Sequence, residues 1–264
     1  MADLVIDTTI VKAMQSTGAS SITKDGVNYF YDNDRNLLTV FNTQDSSKII
    51  TDGFSAKGDY PENINLENEK NVKVIANDSN IKLSNSNGKI VGSPRSIGLD
   101  NSDINFTSTG GKVNVKLNHS NLTVRDFSEK GKFRTQIDGN AEDSSMIKTY
   151  MLDNHSKNNL SLSTGSQGHF HGNASNDIYA DSSSVEINSN NSNSLSNVTG
   201  VNESAVLYIG TGGTLIGNVD NGVINVTNHE GNTSLTVTGE SQGIFNGESF
   251  KTHKEDKRPL RISK

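Results

Sequence analysis

Short apolar triplets return along this chain at a spacing of 25 residues: Val72-Lys73-Val74, Ile97-Gly98-Leu99 and Leu122-Thr123-Val124, with Ile147 one interval further on. In each triplet the outer two side chains fall on one face and the middle one on the other, as a half-buried strand requires. Units repeated at a fixed phase can bury their apolar faces only against one another, so the pattern predicts a stacked solenoid. No catalytic signature accompanies the repeat.

Composition alone would admit disorder. Hydrophobic residues make up 31% of the chain and aromatics 6%, with 24 Gly and 3 Pro, and the mean hydropathy is -0.57. The apolar residues are nevertheless grouped in alternating runs such as Ile81-Lys82-Leu83, Ile104-Asn105-Phe106, Val113-Asn114-Val115 and Val185-Glu186-Ile187, each bounded by Asn, Gly, Ser or Asp. A disordered chain has no reason to keep such a phase, whereas a thin core of many short strands lowers the apolar fraction without losing order.

A formal charge of -6 and scattered cations exclude a nucleic-acid footprint. The one basic cluster is the tail, where Lys254, Lys257, Arg258, Arg261 and Lys264 mix with Glu255 and Asp256, and it reads as a solvated terminus. The absence of cysteine removes disulfides, thiolate metal sites and Cys nucleophiles. No run approaches the ~20 apolar residues of a membrane span, and the first residues lack the basic and apolar regions of a cleaved signal.

Along the chain the pattern divides into 1–60, an N-terminal capping region with a β-hairpin, 61–250, a parallel β-helix, and 251–264, a charged C-terminal tail. The hairpin is Val27 to Tyr31, a polar turn Asp32 to Asn36, and Leu37 to Phe41, while Leu4 to Met14 fits either a strand or a short amphipathic helix. Strand units then begin near Ile64, Val72, Ile81, Ile90, Ile97, Ile104, Val113 and Leu122. Three units per 25 residues, widening to 29 between Val206 and Leu235, imply three short strands per coil and about seven coils, with a looser region from Lys130 to Lys157.

Coils of 25–29 residues with Asn-rich turns and Val/Ile/Leu triplets resemble the right-handed parallel β-helices of bacterial secreted and surface proteins, including autotransporter passengers and haemagglutinin-like adhesins, and of phage tails. The resemblance covers roughly residues 60–250 and concerns architecture alone. It implies an all-β, single-stranded right-handed parallel β-helix and transfers no functional residue.

Three constellations bear on chemistry. His169-Phe170-His171 sets two imidazoles on one face of a strand, a start for a metal site, but Asp177, Asp181 and His155 offer no defined spacing for a third ligand, so two solvated histidines and no bound metal are expected. Parallel β-helix enzymes that cleave or epimerise polysaccharides use carboxylates, often with Arg or Lys, on one exposed sheet. If this chain were one, Asp100 and Asp126 on neighbouring coils, with Arg125 beside them and Asp103 and Arg134 near, would be the catalytic set. The lack of Trp and the 6 Tyr weigh against a sugar cleft. Asp32, Asp34 and Asn36 begin an EF-hand pattern that fails at Leu37 and Thr43, and Gly210-Thr211-Gly212-Gly213 reads as a tight turn. Repeated Asn-x-Ser/Thr reads as Asn ladders between coils and not as glycosylation.

The expectation is therefore a non-enzymatic scaffold or adhesin-like binding protein, secreted or at a cell surface, without a cofactor. A protein or glycan surface is its ligand, and homo-oligomers are compatible with it. A polysaccharide-acting enzyme and a trimeric phage tail or fibre component are the alternatives.

Overall fold

The computed structural model describes residues 8–24, 26–32, 34, 37–42, 48–52, 63–68, 70, 72–126, 135–153, 155–191, 193–253 and 259–263. It is an all-β solenoid of about nine turns with a small antiparallel sheet at its start.

The first element is a helix, Thr8–Thr17, whose Ile10 and Met14 lie one turn apart and are both buried. That decides the alternative left open for Leu4 to Met14, of which Leu4 to Ile6 lie outside the described residues. Strands Ser21–Lys24, Val27–Asp32, Leu37–Asn42 and Lys48–Asp52 pair antiparallel in sequence order. The expected hairpin is the pair from Val27↔Asn42 to Asp32↔Leu37, with Tyr29, Tyr31, Leu38 and Val40 turned into the core. At the opposite end Glu248–Lys251 folds back on Gln242–Phe245, and Leu260–Ser263, within the charged tail, pairs antiparallel with Asn232–Thr238. Antiparallel strands thus cover the first sheet at its start and both sheets at the far end, occupying edges that would otherwise template further pairing, while among the described residues the second sheet begins at Val72–Asn77.

Between the ends, successive strands alternate between two parallel sheets. The first sheet runs through Asn63–Glu67, Asn80–Ser84, Ser96–Asp100 and Gly111–Asn118 up to Asn232–Thr238, and the second from Val72–Asn77 through Asn87–Ser93, Asp103–Ser108 and Asn121–Asp126 to Gln242–Phe245. One coil therefore holds two strands, not three. Ile81 pairs with Ile97 and Ile97 with Val115 in the first sheet, while Ile104 pairs with Leu122 in the second.

The 25-residue recurrence is accordingly not the coil. Val72 and Leu122 belong to second-sheet strands and Ile97 to a first-sheet strand, so 25 residues from Val72 or from Ile97 advance the chain by a coil and a half. Only Leu122 and Ile147 face each other across adjacent coils, because the segment 127–134 enlarges that coil to the same number. With two strands per coil the stack has more coils than the expected seven. Nine rises of ~4.8 Å place its ends about 43 Å apart.

Inward and outward assignments follow the alternation. Ile97, Leu99, Leu122, Val124 and Ile147 are buried, whereas Gly98 and Thr123 are partly exposed. The corner leading from the first sheet into the second is two to four residues long, and its two-residue form recurs at Asn85-Ser86, Asn101-Ser102 and His119-Ser120. Its first residue is left-handed, as at Asn85, Asn101 and His119 with φ of 48°, 47° and 47°. Its second is a buried serine whose hydroxyl accepts a backbone N–H from the coil before: Ser86 N–H to Ser102 at 3.0 Å, Ser102 N–H to Ser120 at 3.0 Å and Ser120 N–H to Ser145 at 3.1 Å. Asn and Asp tolerate the left-handed region because their short polar side chains bond locally. Asn side chains also bond between coils, as from Asn101 Nδ2 to Asn85 Oδ1 at 2.8 Å. The opposite corner varies more in length, from two residues upward, and the buried amides of Asn158 and Asn176 join at 2.9 Å near it.

Candidate functional site

The two histidines are aimed outward by what lies beneath them. In strand Gln167–Gly172, Gly168 and Phe170 point inward, and Phe170 is 2% exposed. A Cβ on Gly168 would stand 2.7 Å from Phe170 Cε2 and 2.8 Å from Leu162 Cδ1, so only glycine leaves the Phe170 ring its place. With both inward positions fixed, period-two geometry sends His169 and His171 to the outer face of the second sheet.

Parallel register then stacks like positions of successive coils. Arg125, Tyr150, His171, Asn188 and Ile209 form one column. Thr123, Lys148, His169, Glu186 and Leu207 form the column beside it. In the first column the Tyr150 and His171 rings stack at a centroid distance of 5.2 Å and an interplanar angle of 11°, and the Arg125 guanidinium lies 5.9 Å from the Tyr150 centroid. Cation, phenol and imidazole thus follow one another on an open surface where Tyr150 is 41% exposed.

The columns are cross-linked by hydrogen bonds. His169 Nδ1 lies 3.0 Å from Glu186 Oε2, Asn188 Nδ2 donates to Glu186 Oε1 at 2.7 Å, and the same amide group lies 3.0 Å from His171 Nδ1. The Asn188 amide and then the His169 ring hold the Glu186 carboxyl below its usual range. Partial burial opposes them, and the fields of His169 and His171 add to the lowering. One donor atom from each of His169, His171 and Glu186 lies within 4.8 Å of the other two. This is the one such His/Cys/Asp/Glu group among the described residues.

Sequence reading offered His155, Asp177 and Asp181 as partners for the histidines, and none of them is at this site. His155 bonds to Asp153 at 3.0 Å, and Asp177 and Asp181 belong to the first sheet, where Asp181 accepts from Asn202 at 2.8 Å. Glu186 was missed because it stands 17 residues from His169, a separation that becomes informative only once that coil length is known.

The conditional catalytic set is not assembled either. Asp100 ends a first-sheet strand at one corner of the coil and Asp126 ends a second-sheet strand at the other. Asp100 accepts from Asn118 Nδ2 at 2.9 Å and Asp126 from Ser156 Oγ at 2.9 Å. Arg125 faces Tyr150, Asp103 starts a second-sheet strand, and Arg134 lies outside the described residues. Of the EF-hand-like residues, Asp32 Oδ1 accepts the Asp34 backbone N–H at 3.0 Å as a turn would, and Asn36 lies outside the described residues. The Gly210 to Gly213 segment is the corner between Ala205–Gly210 and Thr214–Asp220, and Gly213 adopts φ of 82° there. The tail cations Lys254, Lys257, Arg258 and Lys264 lie outside the described residues, and no described helix is long and apolar enough to cross a membrane.

Comparison with protein-family models, with curated proteins and with solved structures finds no match at any of the three levels.

Proposed function

We propose that this chain is a non-enzymatic, secreted or surface-associated solenoid that works as an adhesin-like scaffold, holding an extended acidic glycan against the outer face of the second sheet. The observation that carries this reading is the Arg125, Tyr150 and His171 stack, which continues through Asn188 along the rod. Aromatic and imidazole faces suit the apolar faces of sugar rings, while a guanidinium and amides suit carboxylates and hydroxyls. The stack runs across coils, so its length matches a polymer better than a small molecule. Leu207, Ile209 and Ile244 are exposed farther along the same sheet and extend the surface with apolar contacts. Asp100 and Asp126 end strands of different sheets at opposite corners of the coil, which favours binding over glycoside hydrolysis, since that reaction needs two carboxyl groups flanking one bond.

The test is retention of the immobilised chain on a panel of acidic and neutral glycans, with product release followed on the same panel. Retention on acidic glycans without turnover, reduced at least tenfold by Tyr150→Ser together with Arg125→Ser, is the expected result. Retention unchanged in that double variant, or turnover of any glycan, contradicts the proposal.

A further inference from the structure

On the same outer face of the second sheet, the structure holds a donor set that neither strand sequence reveals alone. His169 and His171 stand two residues apart on one strand, and Glu186 is in register with His169 on the next, so three donors converge from two adjacent coils. We infer that His169, His171 and Glu186 form a site for one divalent transition-metal ion of the zinc class.

Ligand chemistry selects the ion. Two imidazoles and one carboxylate suit zinc and its first-row neighbours, whereas magnesium and calcium prefer all-oxygen shells. Zinc with ligands at about 2.0–2.1 Å in a tetrahedron needs its donors about 3.3 Å apart. Donor atoms already within 4.8 Å reach that spacing by small side-chain rotations, and none of the three is pinned by core packing, since all are partly exposed.

The surroundings match those of a metal site. Asn188 bonds to Glu186 and approaches His171, and the Tyr150 ring stacked on His171 limits the orientation of that imidazole. Outer groups of this kind orient ligands and hold them ready for the ion. Lys148, in register with His169 on the preceding coil, is a like charge that limits affinity, and the Glu186 carboxylate offsets it. Three protein ligands leave a tetrahedral ion one position open to solvent, which a water or a ligand oxygen fills.

This inference does not rest on glycan binding, because it is read on the chain alone, without any glycan. The test is calorimetric titration of the untagged, full-length chain with zinc chloride, repeated with magnesium chloride. One zinc per chain and no heat from magnesium are expected. His169→Ala, His171→Ala and Glu186→Gln each weaken zinc binding at least tenfold, whereas His155→Ala leaves it unchanged. Because all three side chains project outward, the variants keep the parent's circular dichroism and melting temperature. Cobalt(II) supplies a readout that needs no variant: visible absorption of the bound ion that zinc displaces at one equivalent. Absence of zinc heat, magnesium bound as tightly as zinc, or zinc binding that survives any of the three substitutions overturns the site.

Discussion

The backbone N–H of Ser102 donates to Oγ of Ser120, one coil further on, at 3.0 Å, and both residues are buried. Ser120 in turn donates its own N–H to Ser145 and its hydroxyl to the carbonyl of Asn118. Replacing Ser120 with Ala therefore leaves the Ser102 N–H buried without a partner, at a cost of about 1–3 kcal/mol. Ser166 occupies the corresponding corner, yet its buried Oγ has no hydrogen-bond partner, so Ser166→Ala removes nothing and is neutral to slightly stabilising. Urea unfolding of the two variants, read at unchanged m, measures the contrast.

Gly168→Ala forces a methyl group into the Phe170 ring and the Leu162 side chain, both nearer than 3 Å to the new atom. Overpacking of this kind costs about 1–3 kcal/mol. Phe170 then has to shift, and the strand that carries His169 and His171 shifts with it. The variant is expected to melt lower and, under the proposed function, to be retained more weakly on acidic glycans, although no surface group is changed. A paired Gly168→Ala and Phe170→Leu variant makes room for the methyl group and recovers part of the melting temperature.

Acid stability has an identifiable contributor on the first sheet. Partial burial raises the Asp138 pKa, but hydrogen bonds from Lys112, Gln136 and Asn159 and the Lys112 charge outweigh it and hold the carboxyl below its ordinary value of 3.8. A depressed folded-state pKa adds stability that is fully present above the unfolded value and is lost as pH falls through the folded one. Lys112, at 58% side-chain exposure, makes this a surface pair worth about 0.2–1 kcal/mol. Lys112→Met should therefore lower stability at pH 7, and the difference from the parent should shrink as pH falls below about 4. Melting temperatures across that range check the sign.

Strands and their inward faces are legible in this sequence because alternation is a local property. Val113, Val115, Val185, Ile187, Leu235 and Val237 are all buried, as their runs require. The coil is not legible from the same signal, since a triplet looks alike in either sheet and cannot report which one it enters. A spacing of 25 arises from a coil and a half at Val72 and Ile97 but from one coil at Leu122, and the spacing of 29 is again a coil and a half: Val206 pairs with Ile224 in the second sheet, while Leu235 already belongs to the first. The marker that does carry the phase is the buried corner serine that follows a left-handed residue of any kind, such as Asn101, Ser144, Gly165 or Ser182. It recurs at intervals of 16, 18 and 25 through Ser86, Ser102, Ser120 and Ser145. Counting by that marker sets Tyr150 beside His171 and Glu186 beside His169. The alternation alone could supply only the His169 and His171 half of the site.

Everything at the site depends on stacking two-strand coils, and the cysteine-free chain makes that directly measurable. Adjacent parallel strands place register partners ~4.8 Å apart, within the ~4.4–6.8 Å between Cα atoms that a disulfide spans. Two double variants, Tyr150→Cys with His171→Cys and Gly98→Cys with Thr123→Cys, are oxidised mildly at low concentration and scored for intramolecular cross-links by mass spectrometry. The first pair should cross-link and the second should not, because Gly98 and Thr123 lie in different sheets. Cross-linking of Gly98→Cys to Thr123→Cys, with none between the Tyr150 and His171 positions, would restore the 25-residue coil and dissolve the site.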